Sequence, residues 1–186
     1  MKDQQKKSII LVYTGDGKGK TSAAIGLLAR ALGAGRKVAF VQFIKSWEVS
    51  EHKFFAAIAP LYGDNFTFYK GGKGFFNAGA ASAKNVSDAE HRIAAHDTFD
   101  FALRCANSGD YDLVICDEIN NAVADGLLTT DDLKQLIVDC DEKTSLCLTG
   151  RNFPDELLDK VDIATEMRKI KHHYDDGFLA QEGIDF

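Results

Sequence analysis

Two prolines, four cysteines and no long apolar run set the first limits on this 186-residue chain. Pro60 and Pro154 are too few to mark an interdomain linker, no Ser- or Gln-rich tract replaces them, and no repeat of solenoid period occurs. A single domain over residues 9–186 is expected, behind a short polar arm of residues 1–8. At this length a domain buries about 70% of the surface its unfolded chain exposes, so it needs no covalent staple. Cys105, Cys116, Cys140 and Cys147 contain no C-x-x-C pair and no His at finger spacing, which excludes a disulfide framework or zinc finger. Cys116 and Cys147 stand in apolar runs, where a thiol acts as a small buried hydrophobe. Nothing approaches the roughly 18 apolar residues of a membrane span. The polar stretch Met1 to Ser8 and the short run Ile9 to Tyr13 do not make a secretory signal. A cytosolic, reduced protein without a membrane partner is predicted. Basic residues are also scarce, 22 against 28 acidic ones for a net charge of −6, which disfavours nucleic acid as a partner. A small anion held in a local basic pocket stays possible. With no G-x-S-x-G elbow, H-E-x-x-H helix or Cys/His pair, hydrolytic and nucleophilic chemistry have no support.

What the sequence does contain is an alternation of short apolar runs with helical stretches. Ile9–Tyr13, Lys37–Phe43, Phe66–Tyr69, Asp112–Cys116, Ser145–Thr149 and Ile163–Met167 read as strands, several apolar at consecutive positions as in a sheet covered on both faces. Thr21–Leu32, Glu51–Ile58, Asp88–Ala106, Asp131–Val138 and Asp155–Leu158 read as helices. Ser87 with Glu90 forms a capping box and Thr129 with Asp132 a weaker one, while Gly33 and Gly109 are candidate stops. The alternation predicts an α/β fold, a mostly parallel six-stranded sheet with helices on both faces, whose ligands bind at the carboxyl ends of the strands. One segment, Lys70 to Ala81, has four glycines, adjacent Phe75 and Phe76, and no period. It is either a surface loop or a ligand-covering loop that keeps its aromatics for use.

Chemistry concentrates behind the first strand, in Thr14-Gly15-Asp16-Gly17-Lys18-Gly19-Lys20-Thr21-Ser22. Glycines at 15, 17 and 19 let backbone N–H groups converge on an anion, and the helix N-terminus adds partial positive charge. Lys20 can neutralise phosphate oxygens and the Thr21 hydroxyl can ligate Mg²⁺. The usual G-x-x-x-x-G-K-S/T spacing would need Gly where Thr14 stands, so the loop is one residue short. The fourth strand delivers Asp117 and Glu118 to the same sheet edge, the usual place of a second Mg²⁺ contact, on what reads as a strand neighbouring the phosphate loop. Either acid could touch the ion directly. Arg151 closes the fifth strand, Arg168, Lys171, His172 and His173 follow the sixth, and Lys45 after Gln42-Phe43-Ile44 is a weaker candidate. His172 and His173 have no further His at ligand spacing, so no zinc site is expected. Together these features predict binding of a Mg-nucleotide.

Taken together, the residues resemble the P-loop-type ATP:corrinoid adenosyltransferases. The resemblance rests on the short loop Gly15 to Thr21, Arg30-Ala31-Leu32-Gly33-Ala34-Gly35, Val41-Gln42-Phe43-Ile44-Lys45, Cys116-Asp117-Glu118-Ile119-Asn120, Thr149-Gly150-Arg151, and the tail from Lys171-His172 through Ala180-Gln181 to Gly183-Ile184-Asp185-Phe186. It implies a RecA-type P-loop nucleotide-binding fold and transfer of the 5′-deoxyadenosyl group of ATP to the Co(I) of a corrinoid, with release of triphosphate. Gly15, Asp16, Gly17, Lys18, Gly19, Lys20, Thr21, Ser22, Arg151, Lys171 and His172 would then bind substrate, and Thr21, Asp117 and Glu118 would bind Mg²⁺. It also implies aromatic residues that help Co(II) reduction by displacing a lower axial ligand. Phe75 matches that pattern, and Asn77 stands where better-known members have Trp, so either Phe76 takes over that role or the step is weakened, while Trp47, the other large aromatic nearby, is expected to serve in packing. An electron donor such as a flavoprotein reductase and a homodimer are further implications. Some relatives fold an N-terminal extension over a partner's corrinoid site, whereas only eight residues precede the first strand here.

Overall fold

Strands that are apolar on both faces can be stable only between two layers, and the computed structural model, which describes residues 8–45, 48–74 and 86–186, has that arrangement. Six strands, β1 (Ile10–Thr14), β2 (Val38–Gln42), β3 (Phe66–Lys70), β4 (Leu113–Asp117), β5 (Ser145–Thr149) and β6 (Ile163–Glu166), form one sheet in the order β3-β2-β4-β5-β1-β6. Every pairing is parallel. The helices are α1 (Lys20–Gly33), α2 (Ser50–Tyr62), α3 (Asp88–Asn107), α4 (Ile119–Ala124) and α5 (Thr130–Val138).

Side chains alternate between the layers, as a two-residue period requires. Val38, Phe40, Leu113, Ile115 and Cys147 join Ala24, Leu28 and Leu32 of α1 and Phe55 of α2 in one core. Ala39, Val41, Val114, Cys116, Leu146 and Leu148 join α3, α4 and α5 in the other. The edge strand β6 is exposed at all four positions. Because β5 lies between β1 and β4, the phosphate loop and the acidic pair are not on neighbouring strands as expected. The chain order of a parallel sheet leaves its lateral order open, and here a later strand is inserted between two earlier ones.

Both capping boxes form: Ser87 N–H donates to Glu90 at 2.8 Å and Thr129 N–H to Asp132 at 2.7 Å. Three helix limits differ from expectation. Helix α2 runs on to Tyr62 with Pro60 in its last turn. Gly33 stays helical and the left-handed turn falls on Gly35 at φ 71°. Asp155–Lys160 is a 3₁₀ helix.

Helix α2 is held to the sheet by aromatic packing. The Phe55 ring lies 4.8 Å from Phe40, 5.6 Å from Phe66 and 4.8 Å from Phe68, centroid to centroid. Phe55→Ala is expected to lower stability by ~3–5 kcal/mol, as for other buried aromatics. Urea unfolding checks this, and a change within the surface range of about 0.5 kcal/mol would show that α2 is not anchored there.

Candidate active site

The glycines of the loop after β1 answer to a close neighbour. A Cβ on Gly15 would fall 2.5 Å from the Met167 carbonyl oxygen, and one on Gly17 would fall 2.6 Å from it. Backbone beyond β6 lies directly on the loop, and Gly17 N–H donates to Met167 O at 2.6 Å. Thr14, the departure from the usual spacing, is used twice: its carbonyl accepts from Met167 N–H at 2.8 Å and its hydroxyl accepts from Phe153 N–H at 3.2 Å. Lys169 N–H donates to Asp16 at 3.2 Å, and this bond is the main reason the Asp16 carboxyl is held below its ordinary value.

Lys20, the first residue of α1, is buried, and its Nζ donates to the carbonyls of Gly15 and Gly17, each at 2.8 Å. Burial pushes its pKa down, against the pull of Glu118 and other acids. The N-cap of α1, Gly19, offers no side-chain cap, and the first turn carries no acid. The N–H groups that a helix leaves unpaired at its start therefore have neither a side-chain cap nor an acid of their own first turn.

Across the cleft, Asp117 and Glu118 are separated by a backbone turn. Glu118 has φ 66°, in the left-handed region, which costs a residue with a Cβ about 1–2 kcal/mol. The turn sends the two carboxylates to different places. Asp117 is fully buried and accepts from Thr149 Oγ1 at 2.7 Å and Gln42 Nε2 at 3.0 Å, one donor for each oxygen. Lys45 Nζ is 3.9 Å from Asp117 and 2.8 Å from Glu51. Burial opposes the Lys45 charge, yet these acids hold its pKa above the ordinary value. Behind Gln42, His52 Nε2 lies 2.5 Å from the amide oxygen, which orients the amide nitrogen toward Asp117. Glu118 lines the cleft, with its N–H on Thr149 Oγ1 at 2.9 Å and its carboxylate on Asn121. Burial first, and then the Asp117 charge, push the Glu118 carboxyl far up, to about 7.

One cleft of about 1080 Å³ brings together Asp16 to Ser22, Lys45, Glu118, Arg151 and His172, and it includes the tail residues Ala180 and Gly183 to Phe186. Arg151 N–H is fixed on Asn121 Oδ1 at 2.6 Å. Lys171 stands apart, its side chain 82% exposed and its Nζ 4.0 Å from Asp176, and Arg168 is also exposed outside the cleft. His172, His173 and Asp185 place ligand atoms within 4.8 Å of one another. Both Asp185 oxygens already face donors, Lys18 Nζ at 2.8 Å and Gln181 N–H at 2.8 Å. Phe75, Phe76, Asn77 and Trp47 lie outside the described residues. The base of their loop does not: Gly74 N–H donates at 2.8 Å to the carbonyl of Ile44, a residue of the cleft wall.

Sequence reasoning had not assigned Gln42, Thr149, His52, Glu51 or Asp185 to the site. Gln42 and Thr149 stood inside quoted motifs at strand ends, which was the available signal. His52 and Glu51 on α2 carried none.

The chain also matches known proteins over almost its whole length. The family ATP:corrinoid adenosyltransferase BtuR/CobO/CobP matches residues 6–186. A corrinoid adenosyltransferase of Escherichia coli strain K12 is 32% identical over 184 residues, covering 98% of this chain and 88% of that protein. Proteins of the same name from Pseudomonas aeruginosa and Sinorhizobium are 31% and 32% identical, covering 98% and 97% of this chain and 86% and 81% of their own lengths. By a match that spans almost its whole length, the chain belongs to the ATP:corrinoid adenosyltransferase family.

Proposed function

We propose that the protein transfers the 5′-deoxyadenosyl group of ATP to the Co(I) of a corrinoid. One observation carries the reading: in a chain of this family, a single cleft gathers the glycine loop, Lys20, Arg151 and the Glu118 carboxylate. In this transfer the Co(I) electron pair forms the Co–C bond to C5′, the C5′–O bond breaks, and its electrons leave with triphosphate. No proton has to be removed, so no side chain acts as a base. The protein's task is alignment and stabilisation of charge on the leaving group. The Lys20 ammonium has two of its three donors on loop carbonyls, which leaves one for a phosphate oxygen.

A Mg²⁺ ion suits the donor set, since Thr21, Glu118 and Asp117 offer only hard oxygens. Burial first, and the Asp117 charge second, raise the Glu118 carboxyl, and a cation at the cleft wall would favour its ionised form. Glu118, on the cleft wall, is the direct donor in this reading, and Asp117 orients it from behind through Thr149. Bound there, Mg²⁺ would offset charge on the triphosphate. The corrinoid is assigned to the end of the cleft near Ile44, because Phe75 and Phe76 follow Gly74 in sequence. A reductase as electron donor and a homodimeric state complete the reading on the family resemblance.

Purified protein mixed anaerobically with Mg-ATP and chemically reduced cob(I)alamin should yield light-sensitive adenosylcobalamin and intact triphosphate. Release of orthophosphate, or ATP binding without adenosylation, would reject the reading. Lys20→Ala should slow this turnover by ~10²–10³-fold, the loss seen when a donor to developing charge is removed. Activity within a few-fold of the parent would take Lys20 out of the mechanism.

Glu118 also links the site to stability. An acid whose folded pKa exceeds its unfolded value favours the folded state while protonated. That contribution is complete below the unfolded value of about 4.3, and it is lost as pH rises through about 7. Without ligands, Glu118→Gln should therefore raise the melting temperature at pH 8 and leave it nearly unchanged at pH 4, below the unfolded value. An equal shift at both pH values would show that the carboxyl is not desolvated.

A further inference from the structure

Lys18 is the loop cation with the fewest constraints of its own, since its side chain is 40% exposed on a flexible four-carbon stem. Its partner is the opposite. The Asp185 side chain is only 8% exposed, with Oδ1 2.8 Å from Lys18 Nζ. The other oxygen accepts from Gln181 N–H at 2.8 Å and lies 3.3 Å from His173 Nε2. Backbone bonds close a turn around it, Asp185 N–H to Gln181 O at 2.7 Å and Ile184 N–H to Gln181 O at 3.2 Å. The turn is tied to α2 on both sides, through Ser50 Oγ to the Phe186 carbonyl at 2.8 Å and Lys53 to Glu182 at 3.0 Å. The carboxylate is thus a fixed point and the lysine the part that is held.

We infer that Asp185 is a positioning residue, which holds the Lys18 ammonium at the cleft so that it meets a phosphate group of the bound nucleotide already ordered. This rests on the reading that ATP occupies the cleft. The single contact to Asp185 uses one of three ammonium donors and leaves two for phosphate oxygens. Ordering a long, rotamer-rich side chain before binding lowers the entropy lost on binding. Asp185 adds a negative charge beside an anion site, so the inference requires that gained order outweigh repulsion, and this fixes the sign of the test.

The experiment is a double-mutant cycle on Mg-ATP affinity, read by titration calorimetry without any corrinoid. Asp185→Asn keeps an acceptor for Gln181 N–H and removes the negative charge that faces Lys18. It should weaken ATP binding by ~2–10-fold, the range for losing the order of one such side chain. In a Lys18→Ala background the same change should cause no further loss. Glu182→Gln, which loosens one tie of the turn and leaves the Asp185 carboxylate facing Lys18, should cost clearly less affinity than Asp185→Asn. Tighter binding by Asp185→Asn would mean that the carboxylate sequesters Lys18, and this overturns the inference. So would an equal loss with and without Lys18, or a loss by Glu182→Gln as large as that by Asp185→Asn, since either reflects tail folding alone. Failure of the parent protein to bind Mg-ATP would overturn the nucleotide reading itself. Binding with intact coupling but no adenosyl transfer would overturn only the proposed reaction.

Discussion

A carboxylate with no exposed surface at the end of a central strand is the constraint on which the site depends. An isolated buried charge is too costly to persist, so Asp117 must be met by donors on all sides. They come from both neighbouring strands, Gln42 at the end of β2 and Thr149 at the end of β5, with Lys45 just beyond β2. Three strand ends are thereby fixed at one edge. The same requirement reaches outward, since Gln42 is held by His52 and Lys45 by Glu51, both on α2. With Asp117 committed inward, the left-handed turn at the next residue directs Glu118 to the cleft. The acidic pair is therefore one buried anchor and one carboxylate on the cleft wall.

A second constraint acts from the other side of the sheet. The glycine loop after β1 is in van der Waals contact with the backbone that follows the exposed edge strand β6, at distances that only glycine permits at positions 15 and 17. The loop is held between α1 and Met167, while the segment that holds it continues to His172 and the tail residues lining the cleft. The weakest strand of the sheet is in this way the one that delivers the final wall of the site.

Much of this was legible in the sequence where the signal is local. The strand–loop–helix at Ile10 to Gly33 lies in one contiguous stretch, and its glycines and lysines announce a phosphate loop before any fold is known. Continuous apolar runs such as Leu113 to Cys116 announce a sheet covered on both faces. The two capping boxes were readable because each spans four residues. What could not be read was lateral. Gln42 faces Asp117 only because β2 pairs with β4 in the register that aligns those residues, and Thr149 reaches it only because β5 enters between β4 and β1. The pairing of Asp185 with Lys18 joins opposite ends of the chain, and no periodicity encodes it.

The electrostatics of the cleft follow from these pairings. A chain of net charge −6 must attract an anion against its own field. It does so with cations already held by internal partners: Lys18 by Asp185, Lys45 by Glu51, Lys169 by Asp175, and Lys20 by two loop carbonyls. Such groups need little reorganisation when a polyanion arrives, because their geometry is set before it binds. Lys20 differs from the others in that its ammonium is hydrogen-bonded to neutral carbonyls, while Glu118 and other acids act on its charge without a direct ion pair among the described residues. It shares the cleft with Lys18 and Arg151, which gives an anion there three basic side chains to meet. The proposed reaction, which expels a polyanion without moving a proton, would ask for little more than this preset field and the alignment of its two substrates.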